Sequence, residues 1–419
     1  MPLAALRAPF SRFPFRRERF YHFVAEMETS RPTICYVATV DLSLRFLLLS
    51  QMQYMQRLGF RVVAISSDGP YLDDVRQAGI PVHAVEMERR FSPVRDVAAL
   101  GRLVRALRLL KPDIVHTHTP KAGLLGRFAA AAARVPITIH TDFGLYFTNL
   151  SPVQRQLIVA VERLAAHWAD AHLFEDPIAY RFAVDHDLCD RRSAKWIGGG
   201  IDLSWFRPDA IDAATARCLR HEAGFTDQHF VVGFVGRLVK EKGILDLLDA
   251  AAIAAPARPN LRLLVVGPQE DVIVGGVDVQ AEISARKLDP IVRYAGPAGD
   301  VRQWYSMMDA IALPTHRDSW PRVPMEASAM GLPLIVTDLP GVNMAVRSGQ
   351  NGIVVPVGDS RSLSDALMAL AAPDSLVQRA GTVSRAVATE LFDQARVFER
   401  VRLVYEDLWS TTRRHRAAA

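Results

Sequence analysis

An alternation of short apolar runs with longer amphipathic stretches constrains the fold of this chain more than any other feature. In the first half the apolar runs are Thr33–Ala38, Arg61–Ser66, Asp113–His116, Ile137–His140 and Ala171–Phe174. They are short and rich in β-branched residues, which is typical of strands buried on both faces. Between them, stretches such as Asp96–Leu110 have apolar residues at helical spacing. This alternation predicts βαβ units built on a parallel sheet.

The second half of the chain repeats the pattern. Its predicted strands are Phe230–Val235, Leu261–Val266, Ile291–Ala295, Ala310–Leu313, Leu334–Thr337 and Gly352–Val355. The glycine-rich stretch Gly198–Asp209 separates the halves and is predicted to be a hinge, and Leu391–Trp409 is predicted to be one amphipathic helix. We therefore expect an α/β fold of two doubly wound, Rossmann-like domains facing a cleft, with ligands at the carboxyl ends of the strands.

The composition excludes several classes of protein. Half of the 419 residues are hydrophobic and 23% are charged, which excludes a mainly disordered chain. The three scattered cysteines exclude a disulfide framework or a cysteine-based zinc site, and favour a reducing, cytoplasmic compartment. No run reaches about 18 apolar residues, so no transmembrane helix is expected. The net charge of +5 is diffuse and no recognition motif appears, so we expect no nucleic-acid partner.

The N-terminal segment, residues 1–31, interleaves arginines with aromatic residues before the first predicted strand. It has no apolar core and no small-residue cleavage site, so it is not a secretory signal. Arginine with aromatic residues suits an anionic membrane surface, which predicts a peripheral contact with the inner membrane. A disordered extension or a misassigned start codon is the alternative interpretation.

A phosphate-binding turn is predicted after the first strand of the second half. There Gly236 and Arg237 are followed by Lys242, and a helix is expected to begin at Ile244. Free N–H groups at a helix N-terminus attract phosphate, Arg237 can bind two phosphate oxygens, and Lys242 adds a point charge. The alternative is an ordinary strand–helix turn with solvated charges.

An acidic pair follows the strand Ala310–Leu313. Asp318 lies in the loop that leaves the strand, and Glu326 lies in the first turns of a helix that Pro324 can start. Carboxylates accept hydrogen bonds from sugar hydroxyls, and one carboxylate can accept two of them. The alternative is a capped helix in which Asp318 turns the chain and Glu326 faces the positive helix end.

Basic residues cluster at predicted strand ends in the first half. They are His116, His118, Lys121 and His140. Histidines at strand ends can carry acid–base chemistry or bind an anion, although any one such histidine is more often structural than catalytic. A zinc site is not expected, because the His-x-His pair lacks a third ligand at a known spacing.

Together these motifs resemble the bacterial family 4 glycosyltransferases, which are retaining enzymes of the GT-B fold. The resemblance spans about residues 32–410 and is closest to the branch that assembles capsule, exopolysaccharide and O-antigen. It rests on the run His116–Gly126, the turn Ser66–Gly69, the GR…KG element at Gly236–Gly243, and the acidic element that continues as Glu326–Gly341. Three positions depart from the family pattern: Asp318 replaces a glutamate, Phe143 a histidine and Gly199 an asparagine.

The resemblance implies specific roles for this site. Arg237 and Lys242 would bind the diphosphate of a nucleotide sugar, Glu326 its ribose and Asp318 its sugar, and these four are the implied catalytic residues. The donor site would also be lined by Gly236, Ser319, Trp320, Arg322 and Val323. The first domain, with His116, His118, Lys121 and His140 as candidates, would bind the acceptor. No metal or other cofactor is implied.

We therefore expect a cytoplasmic, membrane-associated retaining glycosyltransferase that moves a hexose from a nucleoside-diphosphate sugar, a UDP-sugar first, to a glycan or lipid-linked glycan. The expected domains are an N-terminal extension (1–31), an acceptor domain (32–203), a donor domain (204–390) and a terminal helix that crosses back to the acceptor domain (391–419). A nucleotide-sugar-binding module or weak partner subunit, and an epimerase on the same fold, remain as alternatives. A dinucleotide-dependent oxidoreductase is excluded, because Thr39–Leu44 after the first strand has no glycine.

Overall fold

The chain forms two compact units, each around its own parallel sheet. One unit contains the residues up to Gly198 together with those from Arg396 onward, and the other is Gly199–Ala395. The structure, a computed structural model, describes residues 31–88, 92–144, 151–270, 275–372 and 377–418. The N-terminal segment predicted to contact a membrane, residues 1–31, lies outside the described residues except for Arg31. In the described ranges no helix is both long and apolar enough to cross a bilayer.

The first unit contains a seven-stranded sheet in the order β3-β2-β1-β4-β5-β6-β7, with all neighbours parallel. Its strands are β1 (Thr33–Val37), β2 (Arg61–Ser66), β3 (Val82–Ala84), β4 (Ile114–His118), β5 (Ile137–Asp142), β6 (Ala171–Phe174) and β7 (Ala194–Trp196). The sequence predicted five of them. The two that it missed, β3 and β7, are edge strands of three residues each, too short to show a strand pattern.

Helices cover this sheet. They are α1 (Asp41–Ser43), α2 (Leu49–Arg57), α3 (Leu72–Gln77), α4 (Pro93–Leu110), α5 (Pro120–Ala133), α6 (Pro152–Ala166) and α7 (Pro177–Asp185), with a π-helical turn at Leu44–Leu48 between α1 and α2. Four of them begin with proline (α4, α5, α6 and α7), whose missing N–H costs nothing in the first helical turn.

The second unit repeats the topology with six parallel strands in the order β10-β9-β8-β11-β12-β13. They are β8 (Phe230–Val235), β9 (Leu261–Val266), β10 (Val292–Tyr294), β11 (Ala310–Leu313), β12 (Leu334–Thr337) and β13 (Gly352–Val355). All six were predicted, although β10 is shorter than its predicted range. The helices are α8 (Ala213–Glu222), α9 (Ile244–Ala254), α10 (Val279–Ala285), α11 (Val301–Tyr305), α12 (Arg322–Ala329), α13 (Ser360–Leu370) and α14 (Val377–Leu391).

The predicted terminal helix is wrong at its start. Leu391 is the last residue of α14, and a separate helix, α15 (Gln394–Ala418), begins three residues later. Between them the backbone pairs with Ile201, whose N–H donates to the Phe392 carbonyl (2.8 Å) and whose carbonyl accepts from the Gln394 N–H (3.1 Å). The Phe392 side chain is buried in the core of the second unit. These groups are therefore not available to continue the helix.

Helix α15 completes the core of the first unit. Val397, Phe398, Val401 and Tyr405 pack with side chains of β1 and of the helices that follow it. The Tyr54 hydroxyl also donates to the Glu399 carboxylate over 3.0 Å. The last helix is thus part of the first unit, although the residues just before it belong to the second.

Candidate functional site

Two loops meet at the carboxyl ends of β8 and β11, where the strand order of the second sheet reverses direction. The first is the turn Gly236–Gly243, which contains a 3₁₀ turn at Lys240–Lys242 and leads into α9. Gly243 has a positive φ of 75°, and a Cβ there would overlap the Pro314 carbonyl at the end of β11. The close approach of the two loops therefore requires glycine at this position.

Hydrogen bonds hold the second loop, which follows β11, against the first. The His316 N–H donates to the Glu241 carbonyl over 2.8 Å, and the Thr315 hydroxyl donates to the same carbonyl over 3.0 Å. The Thr337 hydroxyl at the end of β12 donates to the Thr315 carbonyl over 2.7 Å. The ends of three neighbouring strands are therefore joined into one surface.

The two cations of the first loop differ in their surroundings. Arg237 is half-exposed (53%), and its guanidinium lies 3.5 Å from a Glu241 oxygen and 4.0 Å from a Glu270 oxygen. Lys242 is mostly buried and forms an ion pair with Asp318. Lys242 and Asp318 are 76 positions apart in the chain, and the sequence analysis assigned both to the same site. The structure brings these two side chains together.

Glu326 is held in place by a residue that the sequence analysis missed. Helix α12 begins at Arg322 after Pro321, two residues before the predicted start at Pro324. One Glu326 oxygen accepts a hydrogen bond from the Tyr305 hydroxyl over 2.9 Å, and the other lies 3.6 Å from the Arg322 guanidinium. Burial raises the pKa of Tyr305 well above its usual value, and the nearby Glu326 carboxylate adds a smaller effect in the same direction. The hydroxyl therefore stays protonated and remains a donor.

The segment from Ser319 to Val323 passes close to another glycine turn. Gly341 has a φ of 87°, and a Cβ there would overlap the Ser319 carbonyl. The indole N–H of Trp320 is shielded from solvent and has no hydrogen-bond partner among the described residues. A buried indole N–H normally has an acceptor, so this donor is available to a ligand.

In the first unit, three of the four candidate residues are engaged by the protein itself. His116 is fully buried and contacts the Tyr405 hydroxyl of α15 (2.5 Å) and the Thr141 hydroxyl (2.7 Å) through its two ring nitrogens. Lys121 forms a mostly buried ion pair with Asp96 at 2.7 Å. His140 lies 3.0 Å from the Thr117 hydroxyl.

Glycines of the run His116–Gly126 have packing roles. A Cβ at Gly123 would overlap the ring of His140, and one at Gly126 would press on the Thr117 side chain. Both glycines lie in α5, where glycine is otherwise unfavourable. They allow α5 to pack closely on β4 and β5, so much of this motif maintains the fold.

His118 is the exception in this cluster. Its ring is 1% exposed, and neither ring nitrogen has a hydrogen-bond partner among the described residues. The ring lies between those of Tyr36 and Phe143, with centroids 5.5 and 5.8 Å away. Burial lowers the pKa of His118 to about 3, so its ring is neutral at physiological pH.

Asp142 is a second residue that the sequence analysis did not single out. It ends β5, and one carboxylate oxygen accepts from the Gly144 N–H over 2.6 Å. Burial raises its pKa to about 7, although the Gly144 amide acts in the opposite direction. A carboxyl group that titrates near neutral pH thus lies beside Phe143, with no pattern in the sequence to reveal it.

Two family descriptions match this chain. "Glycosyl transferase 4-like domain" matches residues 47–185, and "Glycosyl transferases group 1" matches residues 229–372. The first lies within the first unit and the second within the second unit. The second match includes every residue named above in the loops after β8 and β11.

Similar proteins cover nearly the whole chain. The capsular polysaccharide biosynthesis glycosyltransferase CapM of Staphylococcus aureus is 26% identical over 89% of this chain and 96% of its own length. The UDP-Gal:alpha-D-GlcNAc-diphosphoundecaprenol alpha-1,3-galactosyltransferase of Escherichia coli is 28% identical over 71% of this chain and 76% of its own. Among solved structures, Anabaena HepE in complex with UDP superposes with a TM-score of 0.77 at 18% identity, covering 90% of this chain and all of that one.

Proposed function

We propose that this chain transfers a hexose from a UDP-sugar to a lipid-linked glycan with retention of configuration. The chain belongs to the family 4-like, group 1 glycosyltransferases, in the branch that assembles capsule, exopolysaccharide and O-antigen. The chain is a glycosyltransferase with the two doubly wound domains of the GT-B fold. The observation that carries the proposal is the joined surface after β8 and β11, which brings Arg237, Lys242, Asp318 and Glu326 into one unit.

The first loop of this surface supports diphosphate binding. Arg237 is half-exposed, and its two acidic neighbours lie at 3.5 and 4.0 Å, which leaves guanidinium N–H groups free to bind phosphate oxygens. The N-terminus of α9 follows immediately, and the partial positive charge there adds to the attraction. We infer that cations and amides stabilise the diphosphate, so donor binding needs no metal ion.

The second loop supports binding of the ribose and the sugar. Glu326 is oriented by Tyr305 and keeps acceptor capacity for ribose hydroxyls. Asp318 would accept from a sugar hydroxyl while it remains paired with Lys242. The unpartnered indole N–H of Trp320 supplies a donor in the same loop.

The chemistry is stabilisation of the leaving group. As the bond from the anomeric carbon to the diphosphate breaks, positive charge develops on the sugar ring and negative charge on the diphosphate. Arg237 and the start of α9 stabilise that negative charge. The acceptor hydroxyl attacks from the side that the diphosphate leaves, and its proton passes to the departing phosphate, which retains the configuration.

The acceptor belongs to the first unit in this proposal. The E. coli relative is named for an acceptor linked to diphosphoundecaprenol, a lipid. We propose that this chain uses such an acceptor at the cytoplasmic face of the inner membrane, with a peripheral contact there. Of the four basic candidates, His118 is the one whose side-chain nitrogens have no hydrogen-bond partner among the described residues.

The test is to measure UDP affinity by calorimetry in Glu326→Ala beside Glu282→Ala. Each glutamate pairs with an arginine four residues away, but Glu282 lies in α10, outside the loops after β8 and β11. Losing the hydrogen bonds that the ribose hydroxyls donate to a charged carboxylate should weaken UDP binding by roughly 10- to 150-fold. Glu282→Ala should bind UDP as the wild type does.

Equal affinities in the two variants would show that Glu326 does not hold the ribose. The wild-type protein should also release UDP from a UDP-sugar when a lipid-linked acceptor is added. Tight binding of UDP-sugars without any transfer would identify a binding module, and an epimerised sugar nucleotide formed without acceptor would identify an epimerase.

A further inference from the structure

Two consecutive residues of the loop after β11 pair with two consecutive residues of the turn after β8. Asp318 forms the ion pair with Lys242 described above, and Arg317 forms a second one with Glu241, at 2.9 Å between Nη2 and Oε2. The charges of the second pair are reversed, since here the loop after β11 supplies the cation. Neither Arg317 nor Glu241 was among the residues predicted to bind the donor.

The backbones of Arg317 and Glu241 are held by the same buried side chain. The Thr315 hydroxyl, which donates to the Glu241 carbonyl, lies equally close, at 3.0 Å, to the Arg317 carbonyl. The His316 N–H also donates to the Glu241 carbonyl. The ion pair therefore joins two segments that the backbone already holds together, so its formation orders little more than the two side chains.

The Glu241 carboxylate lies between two arginines. One oxygen is 2.9 Å from the Arg317 guanidinium, and the other is 3.5 Å from that of Arg237. The first distance is that of a hydrogen bond, whereas the second is longer than a normal one. Arg317 therefore engages Glu241 more closely than Arg237 does, and the carboxylate stays within reach of both.

We propose that Arg317 is a positioning residue of the donor site, which holds the Glu241 carboxylate and so keeps the Arg237 guanidinium available to the diphosphate. Without Arg317, the Glu241 carboxylate would turn to Arg237, the other arginine beside it. It would then compete with phosphate oxygens for the same N–H groups, because an arginine fork fits a carboxylate as well as a phosphate. This inference rests on the proposed function, in which Arg237 binds the diphosphate.

The alternative is a direct contact of Arg317 with the diphosphate. Its side chain is about half-exposed, but its guanidinium already donates to a carboxylate 2.9 Å away. A direct ligand would be needed whether or not Glu241 is charged. A residue that holds Glu241 is needed only while Glu241 carries its charge, so the two roles differ in a measurable way.

The experiment is calorimetric titration of the full chain with UDP at low ionic strength, where exposed charges are least screened. Arg317→Gln is introduced into the wild type, into Glu241→Gln and into Glu270→Gln. We expect it to weaken UDP binding about two- to fivefold in the wild type and in the Glu270→Gln background. In the Glu241→Gln background we expect it to have no effect.

Glu270 is the matched acid in this design. It lies 4.0 Å from Arg237, and its replacement changes the net charge by the same amount as that of Glu241. Among the described residues, however, its ion-pair partner is Arg237 and not Arg317. The two backgrounds therefore separate the loss of the Glu241 contact from a change in net charge.

Equal weakening in all three backgrounds would overturn the inference, because Arg317 would then act on UDP directly or through net charge alone. Unchanged binding in the wild-type background would overturn it as well. Thermal unfolding, measured on the same samples, should change little, since each variant alters exposed or half-exposed charges.

Arg237→Gln, measured in the same series, tests the proposal on which this inference rests. If Arg237→Gln weakens UDP binding and Arg317→Gln does not, the donor site stands and the role of Arg317 fails. If Arg237→Gln binds UDP as the wild type does, the assignment of Arg237 to the diphosphate is wrong, and the inference fails with it.

Discussion

The carboxyl ends of β4 and β5 in the first unit and the loops that follow β8 and β11 in the second lie at equivalent edges of similar sheets, but they use polar residues differently. In the first unit, His116 and His140 are buried and engaged by side chains of the same unit. In the second, Arg237 is half-exposed, and Trp320 keeps a donor without a partner among the described residues.

This difference shows that a motif does not identify a binding site by its residue types alone. Polar groups that the fold satisfies contribute to stability, because a buried donor or acceptor without a partner is costly. Polar groups that the fold leaves exposed or unpaired are available to a ligand. Whether the fold supplies a partner or leaves the group exposed or unpartnered therefore separates His116 and His140 of the first unit from Arg237 and Trp320 of the proposed donor site.

The largest expected effect is selective loss of stability of the first unit in acid. Burial lowers the pKa of His118 to about 3 and that of His172 to about 4, below the value of about 6.5 in an unfolded chain. The unfolded chain therefore binds more protons, so stability is complete above about pH 6.5 and falls as the pH drops. Each of these two rings should cost about 2 kcal/mol at about pH 5.

Asp142 partly opposes this loss, since its raised pKa of about 7 favours the folded state as the pH falls. Burial also lowers the pKa values of His116 and His140, so the histidines outweigh it. Hydrogen exchange, corrected for its intrinsic rate, should rise in peptides of β4 before those of β8 between about pH 7.5 and about pH 5. His118→Leu should reduce the effect, and parallel loss in both units would contradict the comparison.

A smaller effect is expected when the buried contact between α15 and β4 is broken. Tyr405→Phe removes the hydroxyl that contacts His116 and also donates to the Tyr36 hydroxyl over 3.0 Å. Leaving buried groups unpaired should lower the free energy of unfolding by about 1–3 kcal/mol, as measured in urea. UDP affinity should not change.

Tyr294→Phe provides the control for that prediction in the second unit. The Tyr294 hydroxyl donates to the Gly267 carbonyl over 3.2 Å, and its side chain is only partly buried. We expect its loss to cost less than that of the Tyr405 hydroxyl. Equal costs would mean that the polar contacts of the two units contribute alike.

The smallest expected effect concerns the ion pair in the proposed donor site. Asp318→Asn removes the charge that neutralises Lys242, so bare UDP should bind up to about fivefold more tightly. Transfer from the UDP-sugar should nevertheless fall, because Asp318 would contact the sugar. Calorimetry and a transfer assay measure the two effects separately, with Asp249→Asn, which removes the partner of Arg286, as the control.

Much of the fold could be predicted because the central strands are apolar and long enough to show a pattern. The strands β2, β6 and β8 were predicted to the residue, whereas the edge strands β3 and β7 are too short. The break before α15 could not be predicted. It depends on pairing with Ile201, about 190 residues earlier, while the local sequence continues a helical spacing.

The candidate site was predictable to the extent that its residues follow strands of one sheet. The pairing of Lys242 with Asp318 and the support of Glu326 by Tyr305 depend on tertiary packing and left no sequence signal. The same limit applies to His116, whose partner Tyr405 lies 289 positions away. A histidine at a strand end looks the same in sequence whether a ligand or another helix will meet it.

The pairing of Ile201 with Asp393 also bears on how such chains can be recombined. It brings the two ends of the second unit side by side, so Gly199–Ala395 behaves as an insertion into the first unit. A segment whose ends are adjacent can be exchanged as one piece without stretching the host chain. We therefore expect the second unit, the proposed donor half, to be exchangeable as one piece. Replacing it with the corresponding unit of a relative should change the sugar that is transferred, while the first unit folds as before.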